Sequence, residues 1–169
     1  MVKLPELKAF EGRWHLSRVI EDRRAQSQGQ FEGSALFAPQ AGKLGVLEYF
    51  ETGEMSYAGQ PPMAASRAYI WTQGPSGIAV LFDDGRPFHV IEDARRAPDA
   101  VHHCDPDLYH VCYDFSQWAA GWRAVWRVQG PRKDYRMVSE YRRIMSTAEQ
   151  EAEASGLQVQ TVKAQGAQG

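Results

Sequence analysis

The sequence predicts an all-β protein: an up-and-down antiparallel barrel of about eight to ten strands with a short helix near each end. Three observations carry this reading. Apolar and polar residues alternate with period two through a series of short segments between Arg13 and Arg143. Turn signals separate the segments at even spacing, among them Asp83-Asp84-Gly85, Asp105-Pro106-Asp107 and Gly130-Pro131. Helical periodicity is almost absent between the two ends, and nothing marks Greek-key crossovers. Sequential hairpins are therefore the simplest wiring, and they favour a closed barrel over a sandwich.

Pro5 suits the first position of a single helical turn, with Leu4, Leu7 and Phe10 spaced to cap a barrel end. From Arg13 the period becomes two. Trp14, Leu16, Arg18 and Ile20 share one face, and Arg13, His15, Ser17 and Val19 the other. Glu21 to Gln30 reads as a loop. Phe31, Gly33, Ala35 and Phe37 alternate with Glu32, Ser34 and Leu36, and Pro39 to Lys43 turns the chain. Leu44 to Thr52 sets Leu47, Tyr49 and Glu51 against Val46, Glu48 and Phe50. Gly53 to Ser66, with Gly59, Pro61 and Pro62, reads as the longest irregular connection; its Met55, Tyr57 and Met63 suggest a loop folded over something apolar. Further strands are expected over Arg67–Thr72, Ile78–Asp83, Pro87–Glu92, Val101–Cys104, Leu108–Phe115, Trp122–Gln129 and Tyr135–Arg143, with a charged loop from Asp93 to Ala100. Ser146 with Glu149 forms a capping-box pattern for a short helix that Gly156 ends. The expected organisation is a single barrel domain over residues 1–145, then a short helix and flexible tail over 146–169.

Composition narrows the function classes. A chain of 169 residues favours one core, and 43% hydrophobic with 11% aromatic residues suffices to fill it. Nineteen basic against 21 acidic residues leave a net charge of −2, which shows no nucleic-acid footprint. No apolar run approaches a membrane span of about 20 residues, and the N-terminus lacks a signal-peptide pattern. Cys104 and Cys112, the two cysteines, make a disulfide framework improbable. The expected setting is the cytoplasm, with no nucleic-acid partner and no membrane span; a homodimer stays open.

Several motifs together resemble one family. They are Gly12-Arg13-Trp14, Ile20-Glu21-Asp22-Arg23, Gly29-Gln30-Phe31-Glu32-Gly33, Asp84-Gly85-Arg86-Pro87-Phe88-His89, His102-x-Cys104-x-x-Asp107-x-Tyr109, and the run from Trp126 to Tyr135. Over about Leu7 to Arg143 the chain is similar to the domain-of-unknown-function family 6314, which is lipocalin-like in shape. The resemblance implies a lipocalin-like, calycin-type barrel and supplies no activity. It also implies that Trp14 packs under a basic residue of the last strand, a role open to Arg136 or Arg142.

Candidate site residues follow from chemistry and parity. His102, Asp107 and Tyr109 can form a polar cluster at one barrel end: the turn can fold the Asp107 carboxylate back toward the imidazole, raising its pKa. Arg86 and His89 sit just past a hairpin turn at a rim. Trp122, Ala124, Trp126 and Val128 make the core face of their strand, so Arg123, Arg127 and Gln129 face the other side. Arg67, Arg123, Arg127 and Arg136 alternate with aromatics; facing a polar lumen they could grip a carboxylate or phosphate, and facing solvent they would stack on neighbouring rings. Ligand contacts are therefore expected at His102, Asp107, Tyr109, Arg86, His89 and Arg127. His102 and Cys104 opposite His110 and Cys112 offer four zinc-type donors, although the spacing matches no zinc-finger pattern, and no metal is expected. Cys104 beside a histidine is a conceivable nucleophile, but a buried thiol is the plainer reading. His89 could ligate haem or simply be hydrogen-bonded, so the cofactor is left unassigned. The expected function is binding of a small anionic or amphipathic ligand in the barrel. Two alternatives remain: an enzyme using the His/Asp/Tyr cluster for acid–base chemistry, and a ligand-free interaction barrel.

Overall fold

The computed structural model describes residues 3–93, 99–147 and 150. Ten antiparallel strands form one sheet: β1 (Gly12–Asp22), β2 (Ser27–Pro39), β3 (Val46–Tyr57), β4 (Met63–Gln73), β5 (Gly77–Phe82), β6 (Pro87–Glu92), β7 (Asp99–Cys104), β8 (Asp107–Asp114), β9 (Gly121–Gln129) and β10 (Asp134–Ile144). The spatial order is β6-β5-β4-β3-β2-β1-β10-β9-β8-β7. Each strand thus pairs with its sequence neighbours, β1 pairs with β10, and the barrel is nearly closed. The seam lies between β6 and β7, which run side by side without a ladder among the described residues. Of the two expected helices, the first is one 3-10 turn, Leu7–Phe10. The second, and the tail after it, fall largely outside the described residues; one helical bond, from Gln150 N–H to the Ser146 carbonyl, is present. No helix among the described residues is long and apolar enough to cross a membrane, which says nothing of strands.

Alternation assigns the faces as expected on β1: Trp14, Leu16, Arg18 and Ile20 are buried. The Leu7–Phe10 turn plugs one end. Phe10 is fully buried, 4.7 Å from the Trp118 ring, 5.3 Å from Trp71 and 5.7 Å from Trp122, centroid to centroid. Trp14 beneath it donates from Nε1 to the Phe10 carbonyl at 2.9 Å. The cation over Trp14 is Arg143, with its guanidinium 4.1 Å from the ring centroid. This corrects the expectation of Arg136 or Arg142. The β1–β10 register sets Arg143 opposite Trp14, Arg142 opposite His15 on the outer face, and Arg136 opposite Glu21 at the far end of the strand. Arg143 also donates to the Glu11 and Ala9 carbonyls, which ties the plug to the last strand.

The irregular connection expected over Gly53–Ser66 is mostly ladder. β3 continues to Tyr57 and β4 starts at Met63, leaving a short turn. Gly53 read as a breaker because glycine usually ends strands. Here it faces Gly33, and a Cβ on either residue would meet the opposite backbone at 2.2–2.3 Å. The two glycines therefore mark a close strand approach. Likewise, the loop expected over Glu21–Gln30 shrinks to a tight turn with Gln26 at φ 50°.

Candidate functional site

The end opposite the plug is open. The strand directions bring to it the end of β5, the start of β6, the β7–β8 turn and the β9–β10 turn. A pocket of about 340 Å3 opens there between Phe82, Phe88, His102, Tyr109, Trp126 and Tyr135. Its volume lies at the low end of the roughly 300–1,000 Å3 common for small-molecule sites. The walls are aromatic: Phe88 stacks on Trp126 at 5.4 Å with 8° between planes, and on Tyr69 at 5.7 Å and 14°. Beneath it lies an inner cavity of about 40 Å3 bordered by Arg18, Glu51, His89, Tyr113 and Tyr141.

The lumen holds a buried polar network. Arg18, 7% exposed, forks onto Glu51, 2% exposed, with both N–O distances 2.8 Å, and its Nε donates to Ser139 Oγ at 2.7 Å. Tyr49 donates its hydroxyl to Glu51, so Tyr141 donates in turn to the Tyr49 oxygen at 3.0 Å. Burial first, then the neighbouring Tyr141 and Glu51, holds the Tyr49 hydroxyl well above its usual pKa, which keeps it a donor. Burial alone would raise the Glu51 carboxyl, but the Arg18 fork outweighs it and the net shift is downward. Glu51 is therefore ionised and fully engaged.

Arg67 is differently placed. It lines both the mouth pocket and the inner cavity, is about half exposed (48%), and reaches Glu51 only at 4.0 Å, beyond hydrogen-bond distance. Among the described residues lining the two spaces, Arg18 and Glu51 cancel, and Arg67 leaves one positive charge in excess. Of the four arginines that alternate with aromatics, Arg67 shares the parity of Tyr69 and Trp71, and that signal was readable in the sequence. Arg127 has the opposite parity to Trp126; it lies exposed on the outer face, paired across strands with His110 and Arg136. It does not reach the lumen.

His102, Cys104, Asp107 and Tyr109 do share one face, because His102 pairs with Tyr109 and Cys104 with Asp107. The hydrogen-bonded cluster takes another form, however. Asp107 bonds Lys133 Nζ at 2.8 Å, and Lys133 also donates to the Tyr109 hydroxyl at 2.9 Å. The β9–β10 turn brings Lys133 to the carboxylate, and Gly130 allows it: a Cβ there would meet Asp107 Oδ1 at 1.9 Å. His102 instead packs among rings, 5.1 Å from Phe88 and 6.1 Å from Tyr109. The Asp107–His102 contact that motivated an acid–base site is replaced by the lysine bridge. His110 and Cys112 have the other parity and face outward, so the four zinc-type donors lie on opposite sides of the sheet. Arg86 is a rim residue, 76% exposed, bonded to Asp84 at 2.6 Å and stacked on Phe82.

His89 enters the lumen through a bulge. Val80 pairs with His89 and Leu81 with Pro87, so Phe88 is the extra residue and both Phe88 and His89 turn inward. His89 Nε2 lies 2.8 Å from the Tyr113 hydroxyl. The adjoining 40 Å3 has room for a few waters and is far smaller than a haem. Burial, with some help from His102, pushes the imidazole down to about 3. Between about pH 6.5 and that value the unfolded chain binds a proton that the folded chain refuses, so folding stability falls as pH drops through this window. The slope reaches at most about 1.4 kcal/mol per pH unit. His89→Gln is expected to flatten the stability–pH curve between pH 6.5 and 4.5 in urea titrations; an unchanged slope would place the effect elsewhere.

Residues 10–143 match the family described as a family of unknown function, DUF6314. The chain belongs to that family. No curated protein matches it. The matched span of this DUF6314 chain covers the barrel from the plug residue Phe10 to the Trp14 partner Arg143, and so includes every residue of the mouth pocket.

Proposed function

We propose that this DUF6314 protein is a lipocalin-like binding barrel for a small acid with a flat apolar body, held in the mouth pocket with its carboxylate on Arg67. The observation that carries the reading is the half-exposed Arg67 guanidinium at the base of an aromatic-walled pocket, beside a carboxylate already saturated by Arg18. An anion supplies the hydrogen-bonded contact that Glu51, 4.0 Å away, does not give Arg67, and a planar guanidinium suits a two-oxygen group. The parallel Phe88 and Trp126 rings favour a flat aromatic body. A chain with only two cysteines, Cys104 and Cys112, fits a reducing, cytoplasmic setting.

The test uses phenylacetate and its neutral analogue phenylacetamide, followed by NMR at the Trp126 indole N–H. Phenylacetate is expected to shift that resonance saturably, with phenylacetamide about tenfold weaker or worse, and Arg67→Gln is expected to remove the preference. Equal affinity for acid and amide in the wild type would overturn the assignment.

A further inference from the structure

Five side chains border both the mouth pocket and the inner cavity and so form the layer between them: Arg67, Tyr69, Phe88, Trp126 and Met137. Four of them sit on strands with ladder partners on both sides. Phe88 does not. It is the extra residue of the bulge on β6, and its strand borders the seam. Phe88 also borders a third space, a groove of about 450 Å3 outside the seam between Val90 and Val101. Phe88 thus borders three volumes.

We propose that Phe88 is the specificity-determining residue of the mouth pocket: its ring seals the inner cavity beside Arg67 and restricts the acid to a single, unbranched aromatic body. The inference rests on the reading of the mouth pocket as an acid site and adds what that site rejects. Phe88 is nearly buried and stacked on Phe82 at 4.6 Å as well as on Trp126 and Tyr69, so a second ring next to the carboxylate meets a packed wall. Removing the ring joins the 340 Å3 and 40 Å3 spaces at the level of Arg67. The hole has the size and shape of a phenyl group. Phe82 borders the mouth pocket but not the inner cavity, so its removal enlarges the site away from that partition.

The experiment compares phenylacetate with diphenylacetate, which carries the second ring on the carbon next to the carboxylate, on wild type, Phe88→Ala, Phe88→Leu and Phe82→Ala. Binding is read by NMR at the Trp126 indole, and thermal melts check that each variant is folded. The wild type is expected to prefer phenylacetate by about tenfold or more. Phe88→Ala is expected to reverse that order, Phe88→Leu to narrow it, and Phe82→Ala to keep it. If Phe88→Ala does not fold, the narrowing in Phe88→Leu carries the test. A folded Phe88 variant that binds phenylacetate and keeps the wild-type preference overturns the role of Phe88 and leaves the acid site standing. Failure of both acids to bind the wild type and every folded variant overturns the acid site, and the role of Phe88 with it.

Discussion

Glu51→Leu is expected to destabilise the barrel by about 3–5 kcal/mol, because it leaves the Arg18 guanidinium charged, buried and without its two carboxylate bonds. Tyr49 loses its acceptor in the same step. The double variant Arg18→Met/Glu51→Leu is expected to recover most of that loss, since an apolar pair of similar volume carries no stranded charge. Urea titration of the two single variants and the double variant measures the coupling. A Glu51→Leu protein within about 1 kcal/mol of wild type, or a double variant as unstable as the sum of the singles, would show that the pair is not the electrostatic unit described. The same carboxylate sets an acid limit. Its folded pKa lies below the unfolded value of about 4.3, so its contribution is complete above that pH and is lost as pH falls toward the lowered folded value. This window lies below the onset of the one set by His89, so the two add in sequence on acidification.

Trp14→Ala is the second large effect, expected at about 3–5 kcal/mol, as for other large aromatic truncations in cores. Trp14 is 0% exposed, it bonds the Phe10 carbonyl, and it supports the Arg143 guanidinium that in turn holds the Ala9 and Glu11 carbonyls. Its loss frees the plug as well as opening a cavity. Trp14→Phe keeps an aromatic body and loses the Nε1 donor, so it should cost about 1–2 kcal/mol. Thermal melts distinguish the two: Trp14→Ala should lower the midpoint on the order of 10 °C, and an unchanged midpoint would remove Trp14 from the closure of the barrel.

The barrel was legible because its signal is local. Alternation on β1 names Trp14, Leu16, Arg18 and Ile20 as one face without any partner strand, and the hairpin turns announce themselves in Asp-Gly and Gly-Pro. The candidate site was half legible. Parity places His102, Asp107 and Tyr109 together, and it places Arg67 with Tyr69 and Trp71. The reading failed for Arg127, where parity already pointed to the outer face and a count of aromatics argued for a ligand contact. It also failed at Gly53, where a residue chosen for close approach to Gly33 reads like a loop.

The sequence by itself bounded the strand number at about eight to ten and determined the meander, the plug at the N-terminus and the family. Each depends on short-range pattern, which a linear chain carries intact. Tertiary structure alone decided which charges meet. Arg18 finds Glu51 from 33 residues away and Ser139 from 121. Register, not proximity in sequence, chooses Arg143 over Arg142 for Trp14, and Lys133 rather than His102 for Asp107. The bulge at Phe88 breaks the alternation on β6, so no periodic reading could have sent both Phe88 and His89 inward. Partner choice across a sheet is fixed by ladder register and by bulges, and a one-residue slip exchanges every face, so these contacts exist only once the barrel closes.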